Sequence, residues 1–248
     1  YGNQDFAINW YSNGKEVSEA IMKAYPYLGR PWLGGHKDYF RRGVTWTDLT
    51  SGRFSARLSP GGFIFDVKGS SAFPEDISLF LGLLNSSFAH YGLNLLNPTV
   101  SFQVGDLARL PVPNASSDIL QELVDQAITL AKGDSEDSET TWDFIAPPDW
   151  PDGIQKVADR HAYLAEIERQ IDEEVYRLYG ISEEDRQAIE AELAAGGVSA
   201  ENEEAEEPED ADSEQTESAE TFWSHETLAK AWVSYAVGVV MGQFEPGK

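Results

Sequence analysis

The apolar positions in the first part of the chain form short runs that Gly and Pro interrupt. Residues 63–67, FIFDV, follow a Pro-Gly-Gly turn and are typical of a strand. Residues 76–84, DISLFLGLL, predict a buried helix that begins at Pro74 or Asp76. Residues 100–109 indicate a strand or an extended loop. We therefore expect this part of the chain to be mixed, with a strong β component.

Helical spacing begins after residue 115. Between residues 116 and 131 the apolar side chains lie on one face of a helix, with Ser116 or Ser117 as its cap. Residues 132–141 then predict a polar, acidic loop. The aromatic and proline-rich residues 142–151, WDFIAPPDWP, predict a segment that packs against a neighbouring element.

The clearest helix extends from about residue 154 to 179 and ends at Gly180. Apolar residues recur along it every seven positions, at Val157, Leu164, Ile171 and Leu178. Ser182 and Asp185 resemble a capping box for a further helix, 183–195, and the two helices together predict a helical hairpin. An amphipathic pair that covers a core explains this pattern, and a partner-binding coiled coil is the alternative.

The end of the chain combines an acidic run with an apolar helix. Residues 199–220 contain 11 acidic residues and no basic or aromatic residue. Such a segment buries too little apolar surface to fold, so we expect a disordered insertion, with a decoy that imitates DNA as the alternative. Residues 228–241 predict a mostly apolar, buried helix.

These patterns predict an α+β fold. We expect a mixed, β-rich region with Gly/Pro-rich loops, then a long amphipathic helical hairpin, then a C-terminal buried helix. The predicted boundaries are 1–115 for the β-rich region, 116–198 for the helical region, 199–220 for the acidic insertion and 221–248 for a helix that packs back on the domain.

The formal net charge of −25 is unevenly distributed. Residues 1–132 hold 11 Lys/Arg against 12 Asp/Glu, whereas residues 133–248 hold 7 against 31. The segment 29–68 is positive, with seven Lys/Arg against three Asp. A strongly acidic chain is a poor ligand for nucleic acid as a whole, but this segregation leaves one basic region that could bind it.

Composition also excludes several classes of protein. The sequence has no cysteine, which excludes disulfides and thiolate metal sites and fits a cytoplasmic location. Its four histidines lack the spacing of metal ligands. No apolar run is long enough to span a membrane, so we expect no membrane association. The first residues lack the basic and apolar parts of a signal peptide, and the missing initiator Met suggests a fragment of a longer protein.

Residues 40–57, FRRGVTWTDLTSGRFSAR, combine arginines, hydroxyls and aromatic rings. Arginine forks bind phosphates or guanine edges, and hydroxyls add phosphate contacts. Aromatic rings such as Trp46 and Phe54 either pack in a core or stack on bases. Residues 97–103 form a second candidate surface, because Asn and Gln can bind adenine bidentately. The candidate DNA-binding residues are Arg41, Arg42, Thr45, Thr47, Ser51, Arg53, Ser55, Arg57, Asn97 and Gln103.

The motifs of an independent enzyme are missing from the sequence. An amino-methyltransferase needs a short Asn/Asp-Pro-Pro-aromatic loop for its target amine. Residues 97–100, NPTV, lack the second proline and the aromatic, and residues 146–149, APPD, lack the acceptor before the prolines. No Gly-rich loop for an adenosine cofactor is visible. We therefore predict no catalytic residue, no cofactor-binding residue and no metal ligand in this segment.

Residues 39–74, YFRRGVTWTDLTSGRFSARLSPGGFIFDVKGSSAFP, resemble a segment of the large adenine-specific DNA methyltransferases of the PglX type. Those enzymes belong to the BREX phage-defence systems and relate to the fused restriction–modification enzymes. Residues 81–112, 167–190 and 231–244 resemble further segments of the family in the same order. Gln243 stands where the family pattern has a basic residue, and the acidic run departs from that pattern.

The resemblance implies the C-terminal, target-recognition region of such an enzyme. The catalytic half, with its S-adenosylmethionine site, would precede it, and this segment alone would be inactive. The implied partners are double-stranded DNA, the N-terminal methyltransferase domain of the same parent chain and other defence-system proteins. The alternative function is a protein-interaction module that docks such proteins.

Overall fold

The computed structural model describes residues 7–28, 35–49, 52–66, 69–195 and 223–245. Within these residues the chain forms eight α-helices and three β-strands. In chain order they are α1 (Tyr11–Ala24), β1 (Gly43–Trp46), β2 (Ala56–Ser59), β3 (Ser71–Ala72), α2 (Ile77–Leu84), α3 (Ser87–Leu96), α4 (Val104–Leu107), α5 (Asp118–Glu136), α6 (Gly153–Tyr179), α7 (Glu183–Ala194) and α8 (His225–Val240). Two 3-10 helices, Pro26–Leu28 and His36–Asp38, lie between α1 and β1.

The three strands form an antiparallel sheet in the order β2-β1-β3. Val44 pairs with Leu58 and Thr45 with Arg57 across β1 and β2. Because side chains alternate between the two faces of a strand, Val44 and Leu58 are buried on one face. Thr45 and Arg57 are half-buried on the other face. The sheet therefore has an apolar face toward the core and a polar face away from it.

Helix α2 covers the apolar face of the sheet, and α5 and α6 pack against α2. Helix α2 contacts β1 and β2 on one side and α5 on the other. Gly82 of α2 allows this helix to approach α5 closely, because a Cβ there would lie 2.9 Å from Leu120 Cδ1 and 3.0 Å from Val124 Cγ2. The core includes Trp46, Phe54, Leu83, Leu93 and Ile167, all at most 2% exposed.

The long hairpin of the fold consists of α5 and α6. At one end Ser117 donates a hydrogen bond to the buried carboxylate of Glu174. At the other end Arg160 forms ion pairs of 2.6 Å with Asp134 and 2.5 Å with Asp137. The two helices are therefore antiparallel. The sequence pattern predicts a hairpin of α6 with α7, the next helix along the chain. In the structure α7 packs mainly against α3.

Helix α8 packs on the aromatic and proline-rich segment 142–151. Trp232 Nε1 donates to the carbonyl of Pro148 at 2.8 Å, and the rings of Tyr235 and Phe144 meet at 5.8 Å. The expected packing of that segment is thus confirmed. Only one face of α8 is buried, however. The other presents an apolar stripe of exposed residues, namely Val233, Val237, Val240 and Met241.

The α+β class and the helix signals are confirmed. The expected caps are present: Asp76, Ser117 and Ser182 accept backbone hydrogen bonds, and Gly180 ends α6 with a left-handed φ of 65°. The capping box expected at Ser182 is only half formed, because Asp185 accepts from the Ser182 hydroxyl and not from its amide. Helix α5 continues to Glu136, five residues into the predicted loop. The acidic run 199–220 lies outside the described residues, and the division into the four predicted regions stays a prediction.

One strand expectation is wrong, and the expectation of a strand or extended loop at residues 100–109 holds only for 101–103, where Ser101 forms a bridge with Leu49. Residues 63–66 form no strand. Their aromatic side chains instead pack on other rings, Phe63 on Trp142 and Phe65 on Tyr39. Residues 100–109 contain the short helix α4, whose first turn is fixed by Asp106 accepting from the Gln103 amide at 3.0 Å.

Candidate nucleic-acid interface

The hairpin of β1 and β2 separates the arginines that the sequence places together. Arg41 and Arg42 directly precede β1, whereas Arg53 lies in the loop at the far end of that hairpin. A four-residue strand spans roughly 10 Å, so the two ends are distinct surfaces. Arg57 lies between them on the polar face of the sheet.

At the first end, Arg42 is exposed and makes no hydrogen bond or ion pair with the described part of the chain. Arg41 forms an ion pair with Asp38, and its guanidinium lies 4.7 Å from the centre of the Phe73 ring. Lys37 is also exposed. We call the set of Lys37, Phe40, Arg41 and Arg42 the basic–aromatic end.

A cluster of aromatic side chains packs next to the basic–aromatic end. Tyr39 lies 5.4 Å from Trp10 and 5.2 Å from Phe65, measured between ring centres, and Phe65 lies 5.5 Å from Phe73. Gly35 fits against this cluster, since a Cβ there would lie 2.8 Å from Phe65. Burial and the charge of Asp66 raise the pKa of Tyr39. The basic side chains of the basic–aromatic end therefore lie next to a packed cluster of aromatic rings.

The polar face of the sheet uses its candidate residues internally. Thr45 Oγ1 donates to the carbonyl of Ser70 at 3.0 Å. Arg57 Nη2 donates to Thr47 Oγ1 at 2.9 Å, and Arg57 is half-buried. The structure thus brings Thr45, Thr47 and Arg57 together, but it gives Thr45 and Arg57 bonds within the fold.

Arg53 connects the hairpin loop to the helices. Its Nη2 donates to the carbonyl of Asn85 at 2.8 Å and lies 3.4 Å from Ser87 Oγ. Ser87 in turn donates its backbone N–H and its hydroxyl to Asp172 of α6, at 2.6 and 2.7 Å. Burial, together with the nearby Arg53, lowers the pKa of His90 on α3. Nothing in the sequence indicates this network, because Arg53 and Asp172 lie 32 or more positions from its other members.

The second candidate segment, 97–103, lies against the hairpin loop. The Phe102 amide donates to the carbonyl of Asp48 at 2.7 Å, and Trp46 Nε1 donates to the carbonyl of Phe102 at 2.9 Å. The Asn97 amide is occupied, because its Nδ2 donates to Ser101 O at 2.7 Å and to Asp106 Oδ2 at 2.9 Å. Gln103 and Ser55 are exposed. Ser51 lies outside the described residues.

Among the described residues, the connection from β3 to α2 does not have the form of a cofactor loop for S-adenosylmethionine. A cofactor loop needs a Gly-rich turn between a strand and a helix, whereas β3 leads to α2 through Phe73-Pro74-Glu75-Asp76. Within the same residues no cluster of His, Asp or Glu could hold a metal ion. Nor is any described helix both long and apolar enough to cross a bilayer.

Comparison with known proteins finds two related sequences and no matching family model. Adenine-specific methyltransferase PglX from Lacticaseibacillus casei (strain Zhang) is 36% identical over 147 residues, which is 58% of this chain and 12% of that protein. Adenine-specific methyltransferase BrxX from Escherichia coli O9:H4 (strain HS) is 32% identical over 149 residues, with the same two shares. The chain thus matches only about an eighth of the length of these relatives.

Proposed function

From the homology of this chain to PglX-type adenine-specific methyltransferases over 58% of its length, we propose that it is the DNA target-recognition part of such an enzyme. S-adenosylmethionine and the catalytic residues would belong to an N-terminal methyltransferase domain of the parent protein. The parent would act on double-stranded DNA in a BREX-like phage-defence system. This chain would bind and orient DNA without methylating it.

The exposure of Lys37 and Arg42 is the observation that supports this function best. A free cation near a nucleic acid neutralises a phosphate and releases a counterion, and this release drives much of the binding. The guanidinium fork of Arg41 also suits phosphate, although its ion pair with Asp38 partly neutralises its charge. Arg53 and Arg57 donate hydrogen bonds to other residues of the chain, so we expect them to stabilise the surface rather than to bind phosphate.

Charge also limits where DNA could approach. Residues 133–248 carry 31 acidic against 7 basic residues, and of these α6 and α7 hold 11 acidic and 5 basic residues. Phosphates would be repelled by those helices and attracted to the basic–aromatic end. A helix such as α6 would therefore face solvent or another part of the parent protein.

The direct test is binding of the full chain to a labelled random-sequence duplex, followed by fluorescence anisotropy at about 0.05 to 0.3 M salt. We expect affinity to fall steeply with salt. The Lys37→Glu/Arg42→Glu variant should lose at least tenfold in affinity at the lowest salt. The control Arg169→Glu, a charge reversal on an exposed arginine of α6, should change affinity less than twofold. Equal loss in both variants, or no binding by the unmodified chain, would refute the proposal.

A second candidate function is a protein-interaction module, and the apolar stripe of α8 favours it. Val240 is 88% exposed and Met241 77% exposed, although both are apolar. Exposed apolar patches of this kind often mark protein contacts. Pull-down of defence-system proteins with the full chain tests this function. Capture that Val237→Ser/Val240→Ser abolishes, while Lys37→Glu/Arg42→Glu does not, would favour docking over DNA binding.

A further inference from the structure

We infer that Phe40 is a base-contacting residue, whose ring stacks on a nucleobase that has left the helical stack while the adjacent arginines hold the flanking phosphates. This inference rests on the proposed function and adds to it the kind of contact that the basic–aromatic end makes. The ligand is DNA with an exposed base face. The evidence comes from the backbone, the ring and the charges at this residue.

The backbone of Phe40 is held in a strained conformation. Its φ is 66°, in the left-handed region that bulky residues rarely adopt. Two hydrogen bonds fix it there: the Phe40 amide donates to the carbonyl of Phe63 at 2.8 Å, and the Gly62 amide donates to the carbonyl of Phe40 at 3.0 Å. Strained residues that the surrounding structure holds in place are concentrated at binding sites. The strain here fixes the direction of an exposed side chain.

The ring of Phe40 is partly supported and partly free. It is 44% exposed, and it contacts Trp10 and Tyr39 in T-shaped geometry at 5.7 and 6.4 Å between ring centres. No described aromatic ring is stacked parallel to it. A base stacks on an aromatic ring in parallel, so the contacts present leave that mode of binding available.

The charges around the ring match a nucleotide. Arg41 and Arg42 follow Phe40 directly, and Lys37 precedes it by three residues. A stacked base carries its own phosphates at both sides, where these cations would neutralise them. Stacking on an aromatic side chain beside basic residues is the usual means by which proteins hold unpaired bases.

Tyr163 is an exposed ring that lacks this combination. Tyr163 is 50% exposed, but it lies on α6 and lines one groove with Asp118, Glu122 and Asp125 of α5, whose charges would repel a phosphate. It has helical backbone geometry, and the nearby Arg160 of the same helix is engaged in ion pairs with Asp134 and Asp137. Tyr163→Ala is therefore a matched control that removes an exposed ring without touching the proposed contact.

The test compares two duplexes of identical sequence, one fully paired and one with a single bulged 2-aminopurine. The full chain should bind the bulged duplex about five- to tenfold more tightly, and the fluorescence of 2-aminopurine should be quenched on binding. Phe40→Ala and Phe40→Leu should reduce the affinity ratio to about one and abolish the quenching. Phe40→Trp, which keeps an aromatic face, should retain both effects, as should Tyr163→Ala.

The variants separate a stacking role from a structural one. If Phe40→Leu keeps the preference for the bulge, the ring acts only through packing and the inference is overturned. If the unmodified chain binds both duplexes equally well with a steep salt dependence, the inference fails while the proposed function stands. If it binds neither duplex at about 0.05 M salt, both fail. Circular dichroism of each variant confirms that the fold is retained.

Discussion

Arg53 illustrates how a single side chain can look like a ligand contact and act as a structural one. Its guanidinium donates to the carbonyl of Asn85, which ends α2, and lies next to Ser87, which begins α3. It thereby holds the β1–β2 loop against the helical layer. Deleting it should affect the stability of the fold more than the affinity for DNA.

Arg53→Ala should lower the free energy of unfolding by about 1 kcal/mol, the usual contribution of a hydrogen bond. Because the side chain is exposed, the loss should stay near that value. The salt dependence of DNA binding should not change. Urea unfolding and a salt titration measure the two quantities. A normal stability with a salt slope reduced by about 0.9 would show instead that Arg53 contacts a phosphate.

Glu174 is a buried carboxylate that joins α5 to α6. Hydrogen bonds from Arg177, and one from the Ser117 hydroxyl, lower its pKa in the folded state. A carboxyl whose pKa is lower in the folded than in the unfolded state stabilises the fold above its unfolded pKa, about 4.3. That contribution is lost as the pH falls through the folded pKa.

Glu174→Gln should therefore lower the free energy of unfolding at pH 7, and the difference from the unmodified chain should shrink as the pH falls below about 4.3. Urea unfolding at a series of pH values measures this difference. Glu173→Gln, on the exposed face of the same helix, is the control and should show a smaller effect. A difference that is constant with pH would show that the charge of Glu174 does not stabilise the hairpin.

Chain order alone identifies the residue types of the interface but not their partners. Arg41, Arg42, Arg53 and Arg57 are equivalent in sequence, yet only the first two lie at an open end of the hairpin. Arg53 donates a hydrogen bond to Asn85, which lies 32 positions away, and Asn97 donates hydrogen bonds to Asp106 and Ser101. Such hydrogen bonds depend on tertiary contacts, and the periodicity of the sequence carries no information about them.

At the scale of the elements, Asn85 closes the outer edge of the sheet. Its side-chain Nδ2 donates to the carbonyl of Ala56 at 2.9 Å, and its Oδ1 accepts from the amide of Ala56 at 3.0 Å. The side chain thus does what a neighbouring strand would do for β2. A second bond from Nδ2 to the carbonyl of Leu81, at 2.9 Å, ties this cap to the end of α2.

Asn85→Asp should destabilise the fold by about 2 kcal/mol at neutral pH, because a carboxylate cannot donate to the carbonyls of Ala56 and Leu81. Asn94→Asp is the matched control, since its Nδ2 makes a single long contact of 3.5 Å with His90. Thermal or urea unfolding gives the comparison. Equal stability of the two variants would argue against the edge-capping role.

Gly82 sets the distance between α2 and α5. Gly82→Ala should lower the free energy of unfolding by about 1 kcal/mol, because overpacking costs about 1–3 kcal/mol and the gain in helix propensity is at most about 1 kcal/mol. Leu120 and Val124 are too deeply buried to move aside. Gly105→Ala, with nothing within 4 Å of the added Cβ, should be neutral or stabilising. Similar effects at both positions, measured by urea unfolding, would mean that the helices can separate freely.

The helices were predictable because their signals are local. Asp76, Ser117 and Ser182 cap helices within three residues of themselves, and Gly180 ends α6 through its own backbone. The pairing of α6 with α5 was not predictable, because the seven-residue pattern specifies an apolar face and not the helix that covers it. The strand expected at residues 63–67 is absent over 63–66, where Phe63 and Phe65 pack on the rings of Trp142 and Tyr39, and local alternation does not reveal such distant partners.

At the scale of the whole molecule, charge and apolar surface are segregated. The basic–aromatic end lies in the first part of the chain, and the acidic excess and the apolar stripe of α8 lie in the last. A chain with this distribution can bind a polyanion through its basic residues and a protein through its apolar stripe. The two proposed functions therefore use different surfaces and can be separated by substitution.

The most direct test of the account compares the salt slope of duplex binding for two double variants. Arg41→Ala/Arg42→Ala should reduce the magnitude of the slope by about 1.8, which corresponds to two lost phosphate contacts. Arg53→Ala/Arg57→Ala, with the same change in charge and the fold verified by circular dichroism, should leave the slope unchanged. The reverse result, a slope reduced only by loss of Arg53 and Arg57, would place the DNA at the other end of the hairpin and contradict the central claim.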